Sequence, residues 1–253
     1  MPRIGDAGDM ENYQIPGSNF NFQGARLTRL GATEYTLVTV AVDVTGSTAG
    51  FSKELRDMLV AAVESCKKSP HSDNLLARTI LFSTKFGRDG VSEIHGFKPL
   101  ADIDPQVDYQ DFSPAGMTPL FDAVYSAVGA MVEYGDRLTK NDYRTNGIVF
   151  VITDGNDNES TATAMMIRDK IAQVVQGEKL ESLVTILIGI NAANYRRQLD
   201  TFSQEAGLTH YIDMGDVTPQ KLAKLEGFVS QSVSSQAQAR GTGGPSQNIA
   251  ATI

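Results

Sequence analysis

Cysteine, tryptophan and positive charge are scarce in this chain. Of its 253 residues, 1 is Cys, 3 are His and 0 are Trp. A single thiol, Cys66, builds neither a disulfide framework nor a thiolate zinc site, so the sequence fits a reducing compartment. Lys and Arg total 22 against 30 Asp and Glu, a formal charge of −8. That shortage of cations argues against a protein that grips a phosphate backbone, which needs a basic stripe. Long apolar runs are also missing. The longest, residues 37–42 and 148–152, have strand length and fall far short of the ~18 residues of a membrane span. Residues 1–10 are polar and lack the apolar stretch of a signal peptide. The expectation is a cytoplasmic protein, alone or within a larger particle, with neither nucleic acid nor membrane among its partners.

What is present is a core-forming pattern, with 41% apolar and 21% charged residues. Residues 35–43 are rich in β-branched side chains and apolar on both faces, as in a buried parallel strand. The stripe Phe51, Leu55, Met58/Leu59, Ala62/Val63 and Cys66 predicts a helix over 51–68 and makes Cys66 a core residue. Strands follow at 75–83 and, antiparallel across a Gly87-Arg-Asp-Gly90 turn, at 91–97. Pro119 opens a helix carrying Leu120, Val124 and Val128. Strands at 147–153, 183–190 and 209–212 then alternate with helices at 162–175, 195–206 and 219–232, the last capped by Thr218. This alternation predicts one α/β domain over 35–232. Its sheet is doubly wound and mostly parallel, with helices on both faces and one antiparallel edge strand. Residues 1–34 are Gly-rich and aperiodic, with Tyr13, Ile15, Phe20 and Phe22 interspersed. They read as a loosely held arm whose aromatics pack on the domain, or as an arm that docks a neighbour. The Gln-, Ser- and Gly-rich stretch 233–253 reads as a flexible tail.

In open α/β sheets, function gathers at the carboxyl ends of the strands. Three such places carry hydroxyls and carboxylates: Asp43-Val-Thr45-Gly-Ser47, Gly116-Met-Thr118, and Thr153-Asp154-Gly155. Hydroxyls of Thr45, Ser47 and Thr118 with carboxylates of Asp43 and Asp154 are hard oxygen donors. They suit Mg²⁺ or Mn²⁺, and Ca²⁺ less strictly, while the absence of His and Cys from the set argues against zinc. A first shell made largely of neutral hydroxyls leaves a cation underneutralised, so it seeks an anionic oxygen from outside. The plainer role for Asp43, Ser47 and Asp154 is to cap helices and close loops.

At these residues the chain resembles the von Willebrand factor A domain family. The metal-ion-dependent adhesion site of that family runs Asp-x-Ser-x-Ser, then a distant Thr, then a distant Asp. Asp43, Thr45 and Ser47 match the first element, with Thr replacing the middle Ser; the hydroxyl is kept and a methyl is added. Thr118 within Gly-Met-Thr-Pro-Leu-Phe-Asp-Ala matches the second element, and Asp154 within Thr-Asp-Gly the third. The resemblance implies a central sheet with one antiparallel edge strand. It also implies a Mg²⁺-dependent, non-enzymatic role in binding proteins, commonly within multiprotein complexes.

The expected partner supplies an Asp or Glu to the metal from a basic surface. That surface faces Asp154, Asp157, Glu159 and the acids Asp102, Asp104, Asp108 and Asp111. These last four could also form a second cation site, although they lack the Gly and final Glu of an EF-hand loop. One alternative is a structural subunit of a large, for example viral, particle that self-assembles through its terminal arms with the metal site idle. Another is a Mg²⁺-dependent phosphohydrolase with Asp43 as nucleophile or base, needing a cation such as Lys53, Arg56 or Arg88 near the metal. The segment 45–50 lacks the pattern of a phosphate-binding loop. His71, His95 and His210 have no ligand spacing, and Asn158-Glu-Ser160 is a glycosylation sequon by chance.

Overall fold

A computed structural model describes residues 9–110, 112–177 and 179–241. Eight strands form one sheet: β1 (Met10–Gln14), β2 (Asn21–Ala25), β3 (Glu34–Asp43), β4 (Leu75–Phe82), β5 (Val91–Pro99), β6 (Arg144–Thr153), β7 (Ser182–Ile190) and β8 (His210–Gly215). Their order is β1-β2-β5-β4-β3-β6-β7-β8. Strands β4, β3, β6, β7 and β8 are mutually parallel. The central pair β3 and β6 is buried along nearly its whole length, which is why it reads as an unbroken apolar run.

The helices are α1 (Ser52–Lys67), the short α2 (Pro105–Asp108), α3 (Leu120–Thr139), α4 (Ala164–Gly177), α5 (Arg196–Ala206) and α6 (Pro219–Gly241). Two cores lie on opposite faces of the sheet. Val38, Val40 and Val42 of β3 pack with α1 and α6 on one face. Leu37 and Ala41 pack with α3 on the other, where α4 and α5 add Ile167, Leu199 and Phe202. The predicted stripe of α1 is the buried one, Cys66 included. Its thiol is pushed up to about 12 by burial, so it stays protonated and inert. Thr218 caps α6 as its position predicts, its hydroxyl accepting the Lys221 N–H at 3.3 Å.

Two expectations about the ends of the domain fail. The first concerns residues 1–34. Residues 1–8 lie outside the described residues, but 10–25 are a hairpin belonging to the sheet, with β1 antiparallel to β2 and β2 parallel to β5 at Gly24 and Phe97. Strand β5 runs antiparallel to β4, as the turn before it predicts, yet it is internal, and β1 is the edge. Tyr13, Ile15 and Phe22 do pack on the domain as expected, but as core residues of a paired hairpin rather than of a loose arm. Beneath the hairpin, the fully buried Arg78 pairs with Glu93 at 2.5 Å, and the other oxygen of Glu93 accepts the Gln23 N–H at 2.9 Å. Breaking such a pair strands a buried charge, so it fixes β2 on β5.

The second failure is the tail. Helix α6 continues through 233–241, because Val233 is buried and Gln236 accepts a hydrogen bond from the buried Asn146 side chain at 3.3 Å. Asn146 in turn accepts from Thr36 at 2.8 Å. Residues 242–253 lie outside the described residues.

Phe22 packs against Tyr13 and Phe97, with ring centroids 5.2 and 6.2 Å away, and under the Arg78 guanidinium at 5.9 Å. Phe22→Ala should therefore cost about 3–5 kcal/mol in denaturant unfolding. A loosely held arm would lose no more than about 0.5 kcal/mol.

Candidate metal centre

Strands β3 and β6 are parallel neighbours in register up to Val42 and Ile152, so Asp43 and Thr153 arrive side by side at their carboxyl ends. The Thr153 hydroxyl donates to one oxygen of Asp43 at 2.7 Å. The backbone N–H of Thr45 donates to the other at 2.9 Å, closing the turn out of the strand. From there the contacts continue without a break. Thr45 Oγ1 lies 3.2 Å from Ser47 Oγ, and Ser47 donates to Asp154 Oδ1 at 2.8 Å. Asp43, Thr45 and Asp154 are buried, whereas Ser47 is exposed.

Thr118 is also buried. Its backbone, not its hydroxyl, holds it in place: the N–H donates to Asn158 Oδ1 at 2.8 Å, and the carbonyl accepts the Asn158 N–H at 3.1 Å. The hydroxyl is left against Gly155, 3.7 Å from where a Cβ there would lie. All five predicted residues thus converge on the carboxyl end of the central strands.

The loops that place them are tied together by side chains that sequence reasoning did not single out for this task. The amide groups that open α3 have no partners within the helix, and the loop after Asp154 supplies them. Phe121 N–H donates to Asp157 at 3.0 Å, and Asp122 N–H donates to Ser160 at 2.9 Å. The buried Asp122 carboxylate returns the favour, accepting from Thr161 N–H at 3.0 Å, Thr161 Oγ1 at 3.2 Å and Ala162 N–H at 2.8 Å. An acid in the first turn of a predicted helix is the signal that could have flagged Asp122.

On the other side, Gly46 N–H donates to Gly116 O at 3.0 Å, and Met117 exchanges two hydrogen bonds with Thr84 at 2.9 and 3.1 Å. Gly116 has φ +76°, and a Cβ there would sit 2.6 Å from the Thr84 hydroxyl oxygen, so this crossing requires glycine.

Charge makes the cluster costly. Burial pushes the Asp43 carboxyl up to about 6, with Asp154 adding to the rise and hydrogen bonds from Thr153 and Thr45 opposing it. Asp154 is raised as well, chiefly by burial. Two desolvated carboxylates beside three hydroxyls form a hard, all-oxygen set that a divalent cation would relieve. Asp43, Asp154 and the hydroxyls of Thr45, Ser47 and Thr118 are the residues that would hold one. Among the described residues no three His, Cys, Asp or Glu side chains gather as ligands, because this set has only two acids.

Other expected participants lie elsewhere. Lys98 pairs with Asp108 at 3.0 Å and stands opposite Ala77, five residues before the Phe82–Asp43 pair. The 102–108 acids therefore sit at the far end of the sheet, roughly 16 Å from the cluster. They do not surround the metal face, and among the described residues they gather no group of three acids that could hold an ion; Asp111 lies outside the described residues. Lys53 pairs with Asp57, while Arg56 pairs with Asp57 and donates to the Tyr109 carbonyl, so neither serves Asp43. Arg88 is exposed in the 87–90 turn. His95 is buried against Tyr109 and the Gly96 carbonyl, and burial pulls it down to about 4.

No family model and no curated protein matches the chain. Several solved structures share its fold. The pilus adhesin SpaC from Lactobacillus rhamnosus GG, in its open conformation, superposes with a TM-score of 0.59 at 10% identity, over 90% of this chain and 32% of its own. A mutant of the PilB minor pilin from Streptococcus sanguinis gives 0.56 at 13% identity, over 87% and 66%. A von Willebrand factor type A protein from Catenulispora acidiphila gives 0.51 at 11% identity, over 85% and 44%. The chain thus spans about a third of the adhesin and less than half of the type A protein. At these identities the likeness is one of fold: an α/β sheet of the von Willebrand A kind. Among the described residues no helix is long and apolar enough to cross a membrane.

A carboxyl raised by folding opposes folding once it ionises. In metal-free protein the Asp43 cost is absent below the ordinary value of 3.8, grows as pH rises through about 6, and is constant above that. In urea unfolding with EDTA, Asp43→Asn should therefore stabilise the protein at pH 8 relative to wild type, with the gain shrinking towards pH 4. A wild-type-to-variant difference independent of pH would contradict the assignment.

Proposed function

We propose that the protein is an interaction module in which Asp43, Thr45, Ser47, Thr118 and Asp154 hold Mg²⁺, with Mn²⁺ or Ca²⁺ as substitutes, and that it binds a partner's Asp or Glu there. The observation that carries this reading is the unbroken contact chain through Thr153, Asp43, Thr45, Ser47 and Asp154, which gathers two buried carboxylates and their hydroxyls at one point. When bound, the ion supplies an electrophilic position for one external anionic oxygen. Asp43 anchors the set from the strand end, Ser47 links it to Asp154, and the Asp122 and Asn158 bonds keep Thr118 opposite. The fold it shares with an adhesin and a minor pilin supports a role in binding rather than turnover. The phosphohydrolase alternative is less well supported, because two of the three cations it could use, Lys53 and Arg56, are engaged away from Asp43, which leaves only Arg88 in the exposed 87–90 turn.

The partner surface around the carboxylate is basic and faces Asp157 and Glu159; the 102–108 acids take no part. A cytoplasmic setting within a multiprotein complex belongs to the same proposal, as does the exclusion of nucleic acid, for which the charge of −8 is the support. Assembly through terminal segments remains a compatible second reading. Asp9 and the end of α6 both lie at the pole opposite the metal face, so contacts there leave the site free. Testing that reading requires trimming only 1–8 and 242–253, since deleting 1–34 would remove β1 and β2.

Calorimetric titration with Mg²⁺ and Mn²⁺ should give one site in the wild type and no saturable heat in Asp154→Ala. Asp122→Asn, which touches the loop and not the ion, should weaken affinity about 10–100-fold. Equal binding by all three proteins would sink the proposal.

A further inference from the structure

The sheet ends on one side at β1, and that edge is bare. In an antiparallel ladder, successive residues turn their backbone groups alternately towards the two neighbouring strands. The Arg26 N–H donates to Asp9 O and the Ile15 N–H to Phe20 O, both at 2.9 Å, and these two rungs fix the phase of the β1–β2 ladder. Odd-numbered residues of β1 therefore bond inward to β2. The N–H and C=O groups of Met10, Asn12 and Gln14 point outward, where no partner meets them among the described residues. The same phase turns the Gln23 N–H away from β1, in keeping with its bond to Glu93 of β5. Sheet edges are commonly blunted by a lysine, a proline, a bulge or a covering helix. At the opposite edge, β8 pairs with β7 through a register shift at Gly189 and Ile190. Strand β1, Met10-Glu-Asn-Tyr-Gln14, pairs without a shift and carries neither Lys nor Pro.

This edge is complementary to itself. Antiparallel pairing with a second copy about Asn12 sets Met10 opposite Gln14 and Asn12 opposite Asn12. The three outward residues of one copy then exchange backbone hydrogen bonds with the same three of the other. No like charges stand opposite one another in that register. Tyr13 falls opposite the second copy's Glu11, in the closer class of pair with Cα atoms about 4.5 Å apart. Over the Tyr13 ring lies the Arg137 guanidinium, 4.3 Å from the centroid, exposed and without an ion pair among the described residues. Glu11 holds the Tyr13 hydroxyl at 2.7 Å with one oxygen, while the other stands 3.8 Å from Arg26 and can take a closer cation. The second copy's Glu11 thus brings a carboxylate to the unmatched Arg137, and symmetry makes this contact twice.

We propose that β1 is a self-association surface, pairing antiparallel with β1 of a second copy and continuing the sheet across a two-fold axis at Asn12. The inference does not rest on the metal reading. Strand β1 lies four strands from β3, roughly 19 Å, so each copy keeps its oxygen cluster clear of the contact. Because the two copies run in opposite directions, their clusters face opposite ends of the joined sheet, an arrangement suited to linking two partners. A five-residue edge buries too little for a permanent complex, for which about 1,200–2,000 Å² is usual. The association is therefore reversible and depends on concentration.

Sedimentation of the full chain, loaded from about 1 µM to about 1 mM, tests it. A reversible monomer–dimer equilibrium is expected, with no larger species, since the pairing consumes the bare edge. Asn12→Asp and Asn12→Lys each set like charges opposite one another across the axis, and each alone should abolish the dimer. Mixed in equal amounts, the two variants should restore it. Asn12 is exposed and its side chain accepts a bond from the exposed Gln23 at 3.0 Å, so neither substitution disturbs the core. Arg137→Ala should weaken the dimer about 2–30-fold through loss of two exposed ion pairs. A wild-type chain that stays monomeric across the range overturns the proposal, as does a dimer indifferent to both Asn12 substitutions. Failure of the mixed variants to reassociate overturns the two-fold register.

Discussion

Burial of the Asp43 carboxylate is the constraint around which the upper end of the sheet is arranged. A carboxylate removed from water at the end of a central strand is tolerated only when hydrogen bonds or a cation meet it. Thr153 from the adjacent strand and the Thr45 amide meet both of its oxygens, yet its ionisation remains shifted upward. Placing Asp154 one residue beyond Thr153 worsens the repulsion, and no arrangement of neutral hydroxyls cancels it. On the proposed reading, a divalent ion would relieve that repulsion.

The second structural demand is that the three loops bearing the oxygens hold still. Backbone pairing cannot do this beyond the strand ends, so side chains take over. Asp122, Asp157, Asn158 and Ser160 tie the head of α3 to the loop after β6. Ser83 and Thr84 tie the end of β4 to the chain before Thr118, with Gly116 allowing the close crossing. The opposite pole carries the charged pairs Lys98–Asp108 and Glu34–Arg144 and both described chain ends. The oxygen cluster and the described chain ends thereby occupy separate ends of the sheet.

How legible this was depends on whether a feature is carried by periodicity or by tertiary contact. The buried runs of β3 and β6 and the stripe of α1 announce themselves, and so do Asp43, Thr45, Ser47, Thr118 and Asp154, since each stands where a strand or helix boundary is readable. The β1–β2 hairpin was not legible. Asn21-Phe-Gln-Gly-Ala25 is short and Gly-containing, and its place in the sheet rests on the distant Arg78–Glu93 pair. The continuation of α6 was hidden by Gln- and Ser-rich composition, because its anchors, Val233 and Gln236, are isolated among polar residues. The 102–108 acids were assigned to the wrong pole since spacing does not reveal which end of a sheet a loop covers. The bonds of Asp122 and Asn158 join residues 38 to 40 positions apart and have no local signature.

The most direct test of the account is paramagnetic broadening of backbone amide signals as Mn²⁺ is added at substoichiometric levels. The account predicts that Thr45, Ser47, Thr118 and Gly155 broaden first and together, and that excess Mg²⁺ restores them. Broadening that begins instead at the acids near Lys98, or spreads evenly over the acidic surface, would contradict it.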